Sequence, residues 1–206
     1  MKLILDFDDV IFNANAFKEL MFFYLGERGI RNAREVYEEV RLRDKVFSVL
    51  RYLDELGIKE DEKDEVYEGI MTPCVWLVNK EVIEIMDQVG IENIFILSQG
   101  DEAFQRDKID RAVGDKVLGS HVAVVPESKT EELKRICEMY KDEDVIFADD
   151  KLKFLNALPV SSLPNLKTVL FDKHGLETLR AEMAESRRME GGKANEEQSQ
   201  AGPKMR

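Results

Sequence analysis

Five short apolar runs set the rhythm of the chain, at residues 3–5, 94–97, 121–125, 145–148 and 166–171. Each has the length of a strand and little polar alternation, as expected for strands covered on both faces. Helical periodicity fills the intervals after the second run, over residues 101–113, 128–140 and 151–158. This alternation predicts an α/β fold: a doubly wound, Rossmann-like parallel sheet of about five strands.

The interval between the first two runs breaks the rhythm. About 60 residues there carry apolar positions at helical spacing, far too many for a loop. Asn15 is placed to cap a helix carrying Phe17, Leu20, Met21, Tyr24 and Leu25. Asn32 with Glu35 resembles a second cap, ahead of Val36, Val40, Phe47, Leu50 and Leu53. Acidic residues 60–64 open a shorter helix that Pro73 breaks, and Asn79 caps one that Gly90 stops. The aromatic residues Phe17, Phe22, Phe23, Tyr24, Phe47 and Tyr52 read as the core of this bundle, and Trp76 as a hinge or interface packer. The expected organisation is an α/β core of residues 1–12 and 79–184 with an inserted all-helical segment, 13–78. Residues 185–206 are polar and charged with almost no large apolar side chain, and read as a disordered tail.

The polar residues that end the strands carry the candidate chemistry. The first run ends in Asp6-Phe7-Asp8-Asp9, three carboxylates within four residues. Like charges so close raise one another's pKa, and a cation among them relieves the cost. Hard oxygen donors suit Mg²⁺, and the carboxyl end of a strand is where open α/β sheets place ligands. On an extended chain Asp6 and Asp8 share a side and Asp9 points away. The second run ends in Ser98-Gln99-Gly100, a turn whose hydroxyl and N–H groups can bind a phosphate oxygen. Ser128 with Glu131 forms a capping box that puts Lys129 in a first helical turn, where the helix dipole disfavours a cation unless an anion is near. The fourth run ends in Asp149-Asp150, one acid more than a helix cap needs.

Asp6-Phe7-Asp8-Asp9-Val10, Ser98, Lys129 and Asp149-Asp150, in that order, resemble the motifs of the haloacid dehalogenase superfamily of phosphotransferases. Asp9 stands where many members have glycine, and Gln99 where many have asparagine. Lys134 is a second candidate for the lysine. The resemblance implies a Mg²⁺-dependent hydrolase of a small phosphomonoester. Asp6 would be the nucleophile that becomes an aspartyl phosphate, and Asp8 the general acid and base. Ser98, Gln99 and Lys129 would hold the phosphoryl oxygens. Asp6, the backbone carbonyl of Asp8, and Asp149 or Asp150 would hold Mg²⁺. It also implies that the inserted helices form a cap over the site. A phosphomutase would use the same residues, and a non-catalytic phosphate- or metal-binding protein is the alternative from another class.

The bulk properties agree. A net charge of −12 argues against nucleic acid or an anionic membrane as partner. Two cysteines, Cys74 and Cys137, fit a reducing compartment and read as small buried hydrophobes. No stretch approaches the roughly 18 apolar residues of a membrane span. Met1 and Lys2 lead into the first strand without a signal-peptide pattern, so a cytoplasmic protein is expected. Oligomeric state has no signature in the sequence.

Overall fold

In the computed structural model the backbone of residues 1–200 and the side chains of residues 1–189 are described. The five apolar runs form β1 (Lys2–Leu5), β2 (Ile94–Gln99), β3 (Val122–Val125), β4 (Val145–Asp149) and β5 (Leu166–Leu170). They pair in one all-parallel sheet of order β3-β2-β1-β4-β5. Leu5 at the end of β1 lies beside Ile96 of β2 and Ala148 of β4. The strand order reverses between β1 and β4, the switch point where this architecture leaves a crevice.

Period-two alternation shows why the central runs are wholly apolar. Leu3, Leu5, Ile94, Ile96, Ile146 and Ala148 pack on one face, and Ile4, Phe95, Leu97, Val145 and Phe147 on the other. The first face is covered by α5 (Lys80–Val89), α6 (Glu102–Val113) and α9 (Gly175–Gln200), the second by α7 (Thr130–Met139) and α8 (Leu152–Ala157). Each buried aliphatic side chain contributes about 1.5–3 kcal/mol. Half-buried His121 is satisfied structurally: Nδ1 lies 3.0 Å from the Ile94 carbonyl and the ring stacks on Phe95.

Between β1 and β2 the chain forms α1 (Ala14–Glu27), α2 (Ala33–Arg43), α3 (Val49–Glu55), α4 (Glu60–Met71) and a 3₁₀ turn, Thr72–Trp76. Gly69 lets α4 approach α1, since a Cβ there would fall 2.1 Å from the Tyr24 hydroxyl. Tyr37, Phe47 and Tyr52 cluster inside the segment and reach Phe104 of α6, with 5.9 Å between the Phe47 and Phe104 rings. The segment leaves and returns at one place. Asn13 N–H donates to the Leu77 carbonyl at 2.8 Å, and Asn79 N–H to the Ile11 carbonyl at 2.7 Å.

Several local expectations are corrected. Asn13, not Asn15, caps α1, its Oδ1 accepting from Ala16 N–H at 2.9 Å. Ser128 does not form a capping box. Its hydroxyl accepts from Thr130 N–H, a local turn that delays the helix to Thr130 and leaves Lys129 just before it. Phe23 is 67% exposed, so it does not belong to the bundle core. The segment from residue 185 is anchored at its start: α9 continues into it, and buried Ser186 donates through Oγ to Asp144 at 2.6 Å. The rest of that segment, from residue 190, lies outside the residues whose side chains are described.

The docking of α9 is testable. Leu179→Ala should cost about 2–5 kcal/mol in urea unfolding, and exposed Glu185→Ala less than about 0.5 kcal/mol. Equal small losses would show that α9 is not packed on the sheet.

Candidate active site

The carboxyl ends of β1 and β4 bring three carboxylates together. One oxygen each from Asp6, Asp149 and Asp150 lies within 4.8 Å of the others. Asp6 is 2% exposed and Asp149 0%. Such a group of buried acids needs positive charge, and Lys129 supplies it. The Lys129 ammonium, 4% exposed, sits 2.8 Å from Asp6 Oδ1 and 2.6 Å from Asp149 Oδ2. Lys134 instead pairs with Glu131 on the surface, away from this group.

The two oxygens of Asp6 have different fates. Oδ1 accepts from Phe7 N–H at 2.7 Å as well as from Lys129. Oδ2 is buried without a hydrogen-bond partner. Burial pushes the Asp6 carboxyl up to about 7, with Lys129 pulling it down and Asp149 adding to the rise. Both oxygens of Asp149 are engaged, Oδ2 by Lys129 and Oδ1 by the Lys151 N–H at 2.8 Å. Asp150 Oδ1 has no hydrogen bond, with Lys151 Nζ 3.5 Å away. Asp6 Oδ2, without a partner, and Asp150 Oδ1, with only the Lys151 ammonium 3.5 Å away, are hard donors in one group and fit a divalent cation.

Asp8 is held elsewhere. The chain turns immediately after β1, with Ile11 and Phe12 N–H groups both donating to the Phe7 carbonyl, so strand alternation no longer governs this loop. The Asp8 carboxylate receives the Lys108 ammonium on Oδ1 at 2.6 Å and the Gln105 amide on Oδ2 at 2.9 Å. It lies outside the carboxylate group of Asp6, Asp149 and Asp150. Lys108 is 3% exposed, with the rings of Phe7, Phe12, Phe17 and Phe104 between 5.1 and 5.9 Å from its Nζ. Burial alone would raise the Asp8 pKa, but the Lys108 charge and the hydrogen bonds from Lys108 and Gln105 outweigh it and hold Asp8 below its ordinary value. Asp9 has φ 61°, the left-handed region that glycine enters most freely and aspartate tolerates. Its Oδ1 accepts from Ala14 N–H at 3.2 Å.

Ser98 and Gln99 complete the ring. Ser98 is 1% exposed and its Oγ has no hydrogen-bond partner. Gln99 Nε2 reaches the Pro126 carbonyl at 3.5 Å, the outer limit of a hydrogen bond. Asp6, Asp8, Asp9, Ser98 and Gln99 line one cleft of about 500 Å³. Sequence reasoning missed Lys108, Gln105 and Lys151. The signal for the first two was present: Phe104, Gln105, Lys108, Ile109 and Val113 form one helical stripe, so two polar residues sit among inward-facing apolar ones.

No family model matches the sequence, and no curated protein matches it. Solved structures do resemble the fold. A candidate haloacid dehalogenase-like hydrolase from Burkholderia xenovorans LB400 matches with a TM-score of 0.59 at 21% identity, over 84% of this chain and 86% of that one. A candidate β-phosphoglucomutase from Thermotoga maritima matches at 0.51 and 16% identity, over 84% and 87%. A hydrolase from Streptococcus pneumoniae TIGR4 matches at 0.50 and 12% identity, over 89% and 97%. The chain has the fold of the haloacid dehalogenase-like hydrolases, as its strand-end motifs imply.

Two predictions follow from the buried charges. Lys108→Ala leaves Asp8 unpaired and should cost about 3 kcal/mol, and the double variant with Asp8→Asn should cost less than the sum of the two singles. Additive losses would show that the pair is not coupled. For Asp6, the metal-free fold should lose stability as pH rises from 3.8, where the unfolded chain ionises, to about 7, where the folded one does. Asp6→Asn should flatten that slope in chelator-treated protein. Identical slopes in the two proteins would place the raised pKa on another group.

Proposed function

We propose that the protein is a Mg²⁺-dependent phosphomonoester hydrolase acting on a small phosphorylated metabolite. The observation that carries this reading is the pair of orphaned atoms, Asp6 Oδ2 and Ser98 Oγ, buried on one cleft beside the Lys129 ammonium. A buried polar atom without a partner is uncommon and asks for a ligand. Here one atom is a nucleophile and the other a hydroxyl donor.

Asp6 Oδ2 attacks the phosphorus while Oδ1 stays fixed by Phe7 N–H and Lys129. The bond from phosphorus to the leaving oxygen breaks, and that oxygen takes a proton from Asp8. The product is an aspartyl phosphate on Asp6. A water then attacks phosphorus and gives its proton to Asp8. The bond to Asp6 breaks and inorganic phosphate leaves. Ser98, Gln99 and Lys129 hold the phosphoryl oxygens through both steps. Mg²⁺ would be held by Asp6, the Asp8 carbonyl and Asp150, with Asp149 fixing Lys129 behind them. When bound it would neutralise the approach of a dianionic phosphate to a carboxylate. The helical segment 13–78 acts as a cap over the cleft, excluding water during the first step.

Release of inorganic phosphate from an aryl phosphate and from an alkyl phosphate, with and without Mg²⁺, tests this. Asp6→Asn should reduce both rates to background. Asp8→Asn should slow the alkyl phosphate by about 10²–10⁴-fold, and an aryl phosphate with a good leaving group far less. Wild-type turnover in Asp6→Asn would overturn the assignment.

A further inference from the structure

We propose that the substrate carries a second anionic group, a carboxylate or another phosphate, which binds Lys18 and Arg41. This rests on the phosphohydrolase reading and adds to it what the leaving group must look like.

The observation is a charge inversion. Asp and Glu exceed Lys and Arg in the chain by 42 to 30. The site cleft nevertheless presents Lys18, Arg41, Lys45, Lys151 and Lys153 against only Asp6, Asp8 and Asp9. The three acids already have partners of their own. Lys129 matches Asp6, Lys108 matches Asp8, and Asp9 caps the start of α1. Two of the five cations are matched as well, Lys45 by Glu127 at 2.8 Å and Lys151 by Asp150 at 3.5 Å, while Lys153 has no carboxylate partner among the described residues and lies over the Phe154 ring at 5.0 Å.

Lys18 and Arg41 differ. They project from α1 and α2, and among the described residues neither has an ion-pair partner. Four other arginines of the segment are neutralised, Arg28 by Glu65, Arg34 by Glu19, Arg43 by Glu55 and Arg51 by Asp101; Arg31 forms no ion pair among the described residues but does not line the cleft. An acidic protein has carboxylates in excess, so leaving Lys18 and Arg41 without a carboxylate or a ring beneath them in a cleft calls for an anion from outside. That anion is not the transferred phosphoryl group. Its site is built from the ends of the sheet strands by Ser98 and Lys129, whereas Lys18 and Arg41 come from the inserted helices. The cleft volume, about 500 Å³, falls within the range that holds a whole small molecule. Tyr37, Phe47 and Phe154 give it an apolar wall, and Arg41 lies beside Tyr37. A guanidinium fork suits either a carboxylate or a phosphate.

The test uses three phosphates of one alkyl chain, ending in a methyl, a carboxylate or a second phosphate. With full-length protein and Mg²⁺, kcat/KM for at least one anion-ended compound should exceed that of the methyl-ended one by about 10- to 100-fold, the worth of a charge-assisted contact. Which of the two gains more identifies the second group. The gain should lie mainly in KM and shrink at high salt. In K18A and R41A the ratio should fall towards one, and R41K should recover part of it. The same three compounds titrated into Asp6→Asn protein should keep their order of affinity, a readout independent of turnover. Hydrolysis of all three with equal kcat/KM, or a preference that survives both variants, would overturn the second-anion site while leaving the phosphohydrolase reading intact. No hydrolysis of any compound, with the order of affinity preserved in Asp6→Asn, would overturn the phosphohydrolase reading and retain the anion site. No hydrolysis and no difference in affinity would overturn both.

Discussion

The Lys129 ammonium between Asp6 and Asp149 is the contact on which the site depends. Two carboxylates with almost no exposure lie at the ends of adjacent parallel strands. Without a cation their mutual repulsion and desolvation would cost several kcal/mol. Lys129 meets both at hydrogen-bond distance, and that fixes more than charge. It joins the start of α7 to the ends of β1 and β4. It also divides the labour of Asp6, tying one oxygen down and leaving the other free.

A second buried lysine does the same for the neighbouring acid by another route. Lys108 comes from the helix that follows β2 and meets Asp8 from the opposite side of the β1 loop. Its aromatic surround includes Phe17 from the inserted segment, so the charge pair is enclosed by both parts of the protein. Two carboxylates two residues apart thus acquire opposite shifts, Asp6 upward by burial and Asp8 downward through Lys108. Separation of neighbouring acids by their environments is how one site holds two roles.

The sheet was legible because both of its faces are covered. Full burial writes continuous apolar runs, and the strand ends then stand out as the first polar residues. That is why Asp6, Ser98 and Asp149 could be read directly. The helical segment was legible in kind but not in detail, because capping depends on which side chain the backbone turn presents. Asn13 and Asn15 are alike in sequence, and only the turn after Asp9 decides between them. Lys108 and Gln105 were missed because a lysine on a helix is ordinarily solvated, and its burial depends on an acid about 100 residues away. Order past residue 185 was not legible because the one buried anchor among the described residues there, the Ser186 hydroxyl on Asp144, leaves no apolar signal in the sequence.

The two lysines leave an asymmetry in the chemistry. Asp8 beside Lys108 is ionised at neutral pH, the form that accepts a proton from water. Protonating a leaving oxygen requires the opposite form, and the Lys108 charge opposes it. In the proposed reaction this geometry makes the first step the harder one, and more so for leaving groups of high basicity. A charged anchor on the far side of the substrate would counter this. Binding energy from a group remote from phosphorus can be used to position the leaving oxygen against Asp8. Lys18 lines the cleft together with Asp8, on the helix that Asp9 and Asn13 start, so the proposed anchor on α1 and the proposed acid are joined through one short turn.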